Sequence, residues 1–320
     1  MSGSEDMKIK NINKNTMHCD DIYSNWYNKE DSYFILCKEK EILNLQHIFE
    51  FEDDTIEECI YDDEKVRFES FKEYDFISLN NLSWENKNVI LEEINIYIGY
   101  NYIILVGEQS GNEIEEIYDY ISLKISNLTH EKKELNKIYF WIFDMILKNY
   151  INTLESVEED ILTLENNIIN EIEKRYFSQI NCIRQQMDKI TKNLRALLYV
   201  GDQFMINENK FIKRENQRYF RNIDVRINKL YDFSISLKSR SDQLIYLHNS
   251  GLTSHTNDIA TRLTVLAIFF GPLTVITGIY GMNFDYMPEL HWIYGYQFTL
   301  GIMATLTIIL YAVFKKKKWL

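Results

Sequence analysis

Two runs of apolar residues dominate the C-terminal end of the chain. The first, Leu263 to Tyr280, and the second, Trp292 to Phe314, contain no charged residue. A helix crossing the ~30 Å hydrocarbon core of a bilayer needs about 20 apolar residues, so each run predicts a membrane span. Upstream the pattern narrows to seams. Leu154, Val157, Ile161, Leu164 and Ile168 recur at steps of three and four, as do Ile180, Ile183, Met187, Ile190, Leu194 and Leu197. A third set runs Ile223, Ile227, Leu230, Leu237 and Leu244, with serines between. Such seams predict long, coiled-coil-like helices. No proline precedes Pro272. The third helix is therefore free to continue from about Phe220 into the first span, a rod of about sixty residues and roughly 90 Å.

Before residue 130 the periods are mixed. Ser32–Cys37, Tyr74–Leu79, Val89–Ile98 and Tyr102–Val106 are rich in Ile, Val, Tyr and Phe and predict strands, with Gly99-Tyr100-Asn101 as a hairpin turn. Glu41–Phe51 and Thr55–Tyr61 read as helices. Residues 1–30 read as a polar, irregular and partly disordered segment. Gly107 to Asn112 reads as a turn that lacks the lysine and the spacing of a phosphate-binding loop. The predicted organisation is an α+β domain over residues 31–130, a helical stalk over 131–256 and a first span over 257–283. A loop over 284–291, a second span over 292–314 and a basic tail over 315–320 complete it.

Charge sharpens this picture. Residues 1–130 carry 28 Asp and Glu against 11 Lys and Arg, while the remainder carries 20 against 24. An acidic N-terminal half argues against nucleic acid as a partner and is compatible with cations. Lys315 to Lys318 follow the second span and Arg262 precedes the first, whereas the loop between them has no Lys or Arg. The positive-inside rule then places both termini in the cytoplasm and the loop outside. The first residues lack the apolar core of a signal peptide. The four cysteines are scattered, without paired spacing, as expected of free thiols. The six histidines show no paired metal spacing, and no nucleophile elbow or kinase signature is present, so no enzyme chemistry is expected.

Stepping along the first span from Asn257 at three-and-four spacing meets Ala260, Thr264, Ala267, Gly271, Thr274, Gly278 and Gly281, every one small or polar. The stripe has two readings: close helix packing through small residues, or a pore wall offering width and hydroxyl oxygens. Asn257 and Thr264 near one end and Asn283 at the other favour the pore. Two spans cannot enclose a channel, so a pore requires an oligomer with this face at its axis.

Tyr280-Gly281-Met282-Asn283-Phe284, then Met287-Pro288-Glu289-Leu290 between two C-terminal spans, and a closing Lys-Lys-Lys-Lys-Trp-Leu together resemble the CorA family of magnesium transporters. Asp144, Tyr150, Tyr219-Phe220-Arg221, Glu57-Glu58, Glu69 and Tyr74 extend the resemblance from about residue 31 to the end. It implies a funnel-shaped homopentamer in the inner cell membrane. Mg²⁺ would be both cargo and regulatory ion, Co²⁺ and Ni²⁺ further candidates, and no cofactor is required. Gly281, Met282 and Asn283 would form the external selectivity filter, with Asp285 and Glu289 as loop acids near it. Asn257, Ala260, Leu263, Thr264, Gly271, Thr274 and Gly278 would line the pore, with Leu263 as a hydrophobic constriction. Ala260 and Gly271 stand where the family commonly has methionine, and Thr261 where it has lysine. The regulatory acid of the N-terminal domain would be Glu58. Its partner position on the stalk is Asn222, which leaves Asp224 as the nearest acid. Two alternatives stand beside this reading: a ZntB-like Zn²⁺ transporter, and a non-transporting, membrane-anchored coiled-coil sensor.

Overall fold

The computed structural model describes residues 7–19, 26–61, 65–107, 113–128, 134–171, 173, 175–283, 285 and 287–317. They fall into two compact units, residues 1–167 with 173–245, and residues 168–172 with 246–320.

The first unit is built on a seven-stranded mixed sheet in the order β2-β1-β3-β7-β6-β5-β4. Its strands are β1 (Lys8–Asn11), β2 (Thr16–Cys19), β3 (Tyr33–Lys38), β4 (Arg67–Ser70), β5 (Tyr74–Glu85), β6 (Asn88–Gly99) and β7 (Tyr102–Gly107). Every neighbouring pair is antiparallel except β3 and β7, which run parallel with Tyr33 opposite Tyr102. Residues 8–19 correct the expectation of an irregular N-terminal segment. β1 pairs with β3 from Lys8 opposite Leu36 to Asn11 opposite Tyr33, so the polar-looking hairpin extends the sheet rather than trailing from it. The buried Lys10 is accommodated because its ammonium donates to the Ser122 carbonyl at 2.8 Å and the Ser126 hydroxyl at 2.6 Å.

Two short helices, α1 (Ile42–Phe49) and α2 (Asp53–Ile60), cover one face of the sheet. Phe49, Phe51, Tyr74, Tyr97 and Tyr102 interlock there with Ile35, Ile42, Leu45, Ile56 and Ile104. The other face receives α3 (Glu113–Ser126), where Tyr118 stacks on Phe34 at 4.7 Å. It also receives α4 (Leu135–Asn170) and α5 (Arg175–Ile206). Both lie against the long β5–β6 hairpin: the Tyr150 hydroxyl donates to the Asn80 carbonyl at 2.8 Å, and the Val89 N–H donates to Gln186 at 3.1 Å. That hairpin turns at Asn86 and Lys87, both with positive φ, the backbone that a right-twisted two-residue turn requires.

The seams predicted for the three long helices are buried in the first unit, with Val157, Ile161, Met187, Ile190, Leu194, Ile223 and Ile227 at 3 % exposure or less. Where α4, α5 and α6 (Gln217–Tyr280) meet the sheet, an aromatic cluster closes the core. Phe204 has ring centroids of Phe68, Tyr139, Phe143 and Phe220 within 6.0 Å. Phe204→Ala leaves a cavity ringed by aromatics that cannot collapse. It should destabilise the protein by about 3–5 kcal/mol, read as a lowered unfolding midpoint of the solubilised protein.

The second unit contains the apolar part of α6 and α7 (Gly295–Lys316), the two helices among the described residues long and apolar enough to cross a bilayer. The chain between them passes through a short 3₁₀ turn, Pro288–His291. Trp292 to Tyr294 precede the helix proper, so α7 starts three residues after the apolar run does.

Candidate functional site

The α6 span has one face that its own chain covers and one that it leaves open. Val265 is 3 % exposed, and Phe269, Pro272, Leu273 and Ile276 are half-buried. Phe269 meets Phe314 of α7 at 5.5 Å, and Phe314 is itself buried. These residues form the packed side. Asn257, Ala260, Thr264, Ala267, Gly271, Thr274, Gly278 and Gly281 are all exposed. At 100° per residue the two sets lie about 160° apart around the helix. The small residues therefore do not serve contact with α7. A Cβ added at Gly271 or Gly278 meets no atom within 4 Å. Leu263, 61 % exposed, flanks the same open face.

The hydroxyls on this span have a defined polarity. Thr264 donates to the Ala260 carbonyl and Thr274 to the Phe270 carbonyl, both at 2.8 Å, and Thr277 donates to the Leu273 carbonyl at 3.1 Å. Each proton is spent inside the helix, so what the side chain turns outward is lone pairs. Pro272 has no N–H, which also frees the Ile268 carbonyl from its usual partner. The open face is an acceptor surface of neutral oxygens, suited to the waters of a hydrated cation.

Gly281, Met282 and Asn283 follow directly on the last residue of α6. The Gly281 N–H donates to Thr277 at 2.9 Å and to Gly278 at 3.2 Å, and the Met282 N–H to Ile279 at 3.2 Å. Beyond these, the terminal carbonyls have no intrahelical donors, and the helix dipole places its negative end here. Asn283 and Asp285 are exposed at this end. Glu289 lies in the 3₁₀ turn, and its side chain is outside the described residues. Among the described residues no group of three or more His, Cys, Asp or Glu side chains converges to hold a metal ion.

The two acids expected to be regulatory, Glu58 and Asp224, have separate partners. Glu58, on α2, is ion-paired with Arg67 of β4, which also holds Glu69 at 2.6 Å. Asp224, on α6, accepts from Asn228 at 3.1 Å and lies where a side chain at Gly201 of α5 would be, 2.8 Å from its Cβ position. Burial raises the Asp224 carboxyl, and the nearby Asp202 adds to the effect. Asn222 is exposed on α6. No ion pair or hydrogen bond joins Glu58 to Asp224 among the described residues. Sequence reasoning had also passed over Asp75 and Asn209, a buried contact between a strand and a turn, because neither belongs to a motif.

The chain matches the model of a protein family described as CorA-like Mg²⁺ transporter protein over residues 33–316. It is 26% identical over 267 residues to the cobalt/magnesium transport protein CorA of Thermotoga maritima, covering 83% of this chain and 76% of that protein. The solved structure of the complete CorA magnesium transporter from Methanocaldococcus jannaschii superposes with a TM-score of 0.81 at 18% identity, over the full length of both chains. The cytoplasmic domain of ZntB from Vibrio parahaemolyticus, at 12% identity, matches with a TM-score of 0.62 over 78% of this chain and 99% of the other.

Proposed function

The chain belongs to the CorA family of divalent-cation transporters, and from that premise we propose that it carries Mg²⁺ inward through a homopentameric pore lined by the open face of α6. The observation that supports this most is the unpacked stripe from Asn257 to Gly278, which runs into the Gly281–Asn283 mouth on the side of the helix away from α7. Its oxygens are neutral. Mg²⁺ gives up water reluctantly, and a filter of carbonyl and amide acceptors binds the hydrated ion without the grip of carboxylates that would slow its release. Asp285, with Glu289, raises the local cation concentration at the entrance. Leu263 forms a constriction that closes by dewetting, a role that falls more heavily on it because Ala260 and Gly271 are small.

In this reading both termini are cytoplasmic and the mouth is external. Transport runs down the membrane potential, worth about 4.6 kcal/mol per 100 mV for a divalent ion. Co²⁺ is a second substrate and Ni²⁺ a third. The alternative, a ZntB-like Zn²⁺ route, is disfavoured by the absence of His and Cys from the stripe, since zinc sites draw on those ligands. Protein in liposomes loaded with ion indicators should take up Mg²⁺ and Co²⁺ faster than Zn²⁺. Preferential Zn²⁺ uptake would reverse the assignment, and no flux at all would leave a sensor or scaffold.

Regulation would come from Mg²⁺ held among acids of the N-terminal domains of neighbouring copies, closing the pore when internal magnesium is sufficient. Glu58 is one donor only if Arg67 yields it, and Asp224 contributes beside Asp202. Millimolar Mg²⁺ should therefore slow proteolysis of the N-terminal unit. Cleavage indifferent to Mg²⁺ while flux persists would remove the sensor from this picture.

A further inference from the structure

The start of α6 is tied down by a set of asparagines. The chain between α5 and α6 turns through two residues of positive φ, Asn207 and Lys210. Asn207 closes the turn on itself, donating to the Ile212 carbonyl at 2.8 Å and accepting from the Ile212 N–H at 3.0 Å. Asn136 holds the next stretch to α4, donating to the Phe211 carbonyl at 2.7 Å and accepting from the Lys213 N–H at 3.0 Å. Asn209 alone among these asparagines reaches the sheet. Its amide donates to the Phe71 carbonyl at 2.6 Å, the Asp75 carboxylate at 2.8 Å and the Tyr74 carbonyl at 3.3 Å.

Two features make this contact more than a turn fastening. Asp75 is 5 % exposed, and no basic side chain among the described residues pairs with it; the Ser70 hydroxyl and Asn209 hold it, and Glu208 repels it. Burial pushes its carboxyl up to about 6. Because the folded value lies above the ordinary one, the cost of the buried charge accumulates as pH rises and is fully present at neutral pH. A contact that keeps an uncompensated charge buried is held in place but readily released. The second feature is where it leads. The Tyr74 hydroxyl accepts from the Glu52 N–H, which caps α2, the helix carrying Glu58. The α2 helix, the β4–β5 turn and the base of α6 are thus joined through one tyrosine and one asparagine.

We propose that the Asp75–Asn209 contact is a releasable latch through which the state of α2 and the sheet is passed to the base of α6. This rests on the regulatory reading above. α6 is a single helix from Gln217 to Tyr280, so the position of its base bears on the span that carries the stripe.

Two variants of the full-length protein move the latch in opposite directions. Asn209→Ala removes all three hydrogen bonds. Asp75→Asn keeps the oxygen that accepts from Asn209 and removes the buried charge. Trypsin reads the latch directly at the exposed Lys213 and Arg214. Cleavage there should be on the order of tenfold faster in Asn209→Ala and slower in Asp75→Asn. In liposomes, the internal Mg²⁺ that halves uptake should rise on the order of tenfold in Asn209→Ala and fall in Asp75→Asn, with the maximal rate unchanged. Equal cleavage in wild type and Asn209→Ala overturns the latch. Faster cleavage with an unshifted Mg²⁺ requirement overturns its coupling to the pore. If wild-type uptake ignores internal Mg²⁺, the regulatory reading fails, and the cleavage rates alone decide whether the latch exists.

Discussion

Replacing Asn283 with alanine should abolish Mg²⁺ uptake while leaving the oligomer intact. Asn283 is exposed just beyond the C-terminus of α6 and holds up no part of the fold, so its loss has little to disturb in the folded chain. In the proposed filter, what it removes is an amide oxygen that would accept from the first hydration shell of the ion. One such hydrogen bond is worth about 0.5–1.5 kcal/mol net, and in a ring of copies each loses its own. Summed over the five copies of the proposed pentamer, the loss would reach several kcal/mol, a fall in uptake of at least about a hundredfold. Radiotracer or indicator uptake checks it, with size analysis confirming the assembly. Uptake within about threefold of wild type would remove the amide from the filter and leave selection to the backbone carbonyls.

The parts of this fold that could be read from sequence are those fixed by long, regular periods. The two spans were legible because uncharged, largely apolar runs of 18 and 23 residues have few other uses, and the seams because steps of three and four sustained over six positions are hard to obtain by chance. The elements that escaped are short or atypical. β1 reads Lys-Ile-Lys-Asn, and only its pairing with β3 and the burial of Lys10 under α3 make it a strand. β5 was expected to stop near Leu79 because Asn80 and Asn81 follow, yet both are buried there and bonded to α3 and α4. The turn at Asn86-Lys87 lacks the glycine that would have announced it. α3 was missed because its buried positions are spread among five charged residues and two serines.

The candidate site divides in the same way. The mouth is a contiguous motif and was found from sequence by resemblance. The stripe is a period and was found from spacing, but spacing could not choose between packing and a pore wall. The structure adds the location of the other packed face, against α7, so any packing by the stripe must be against a neighbouring copy. The expected regulatory pair depends on which residues meet across distant segments, and here the structure adds a competitor that the sequence did not show: Glu58 is ion-paired with Arg67. Arg67→Ala should accordingly free Glu58 and raise the Mg²⁺ sensitivity of proteolytic protection, whereas a structural Glu58–Arg67 pair predicts only a less stable domain.

Adding bulk at Gly271 separates the two readings of the stripe. A side chain there meets nothing within its own chain, and phenylalanine is a better helix former than glycine, so Gly271→Phe costs the isolated helix nothing. If the stripe faces a common axis, one phenyl ring from each copy fills a pore that small residues keep wide. Uptake should then fall below detection with the oligomer unchanged. Ile308→Phe is the control, since it places the same ring on α7 at a residue that is 67 % exposed; it should transport at the wild-type rate. If the stripe instead packs against a neighbouring helix, as small residues in membranes often do, the same ring forces the helices apart. The assembly should then dissociate, and the loss of uptake would follow from the loss of the oligomer. Size and flux measured on one preparation distinguish these outcomes, and a Gly271→Phe protein that is both assembled and fully active places the stripe against lipid.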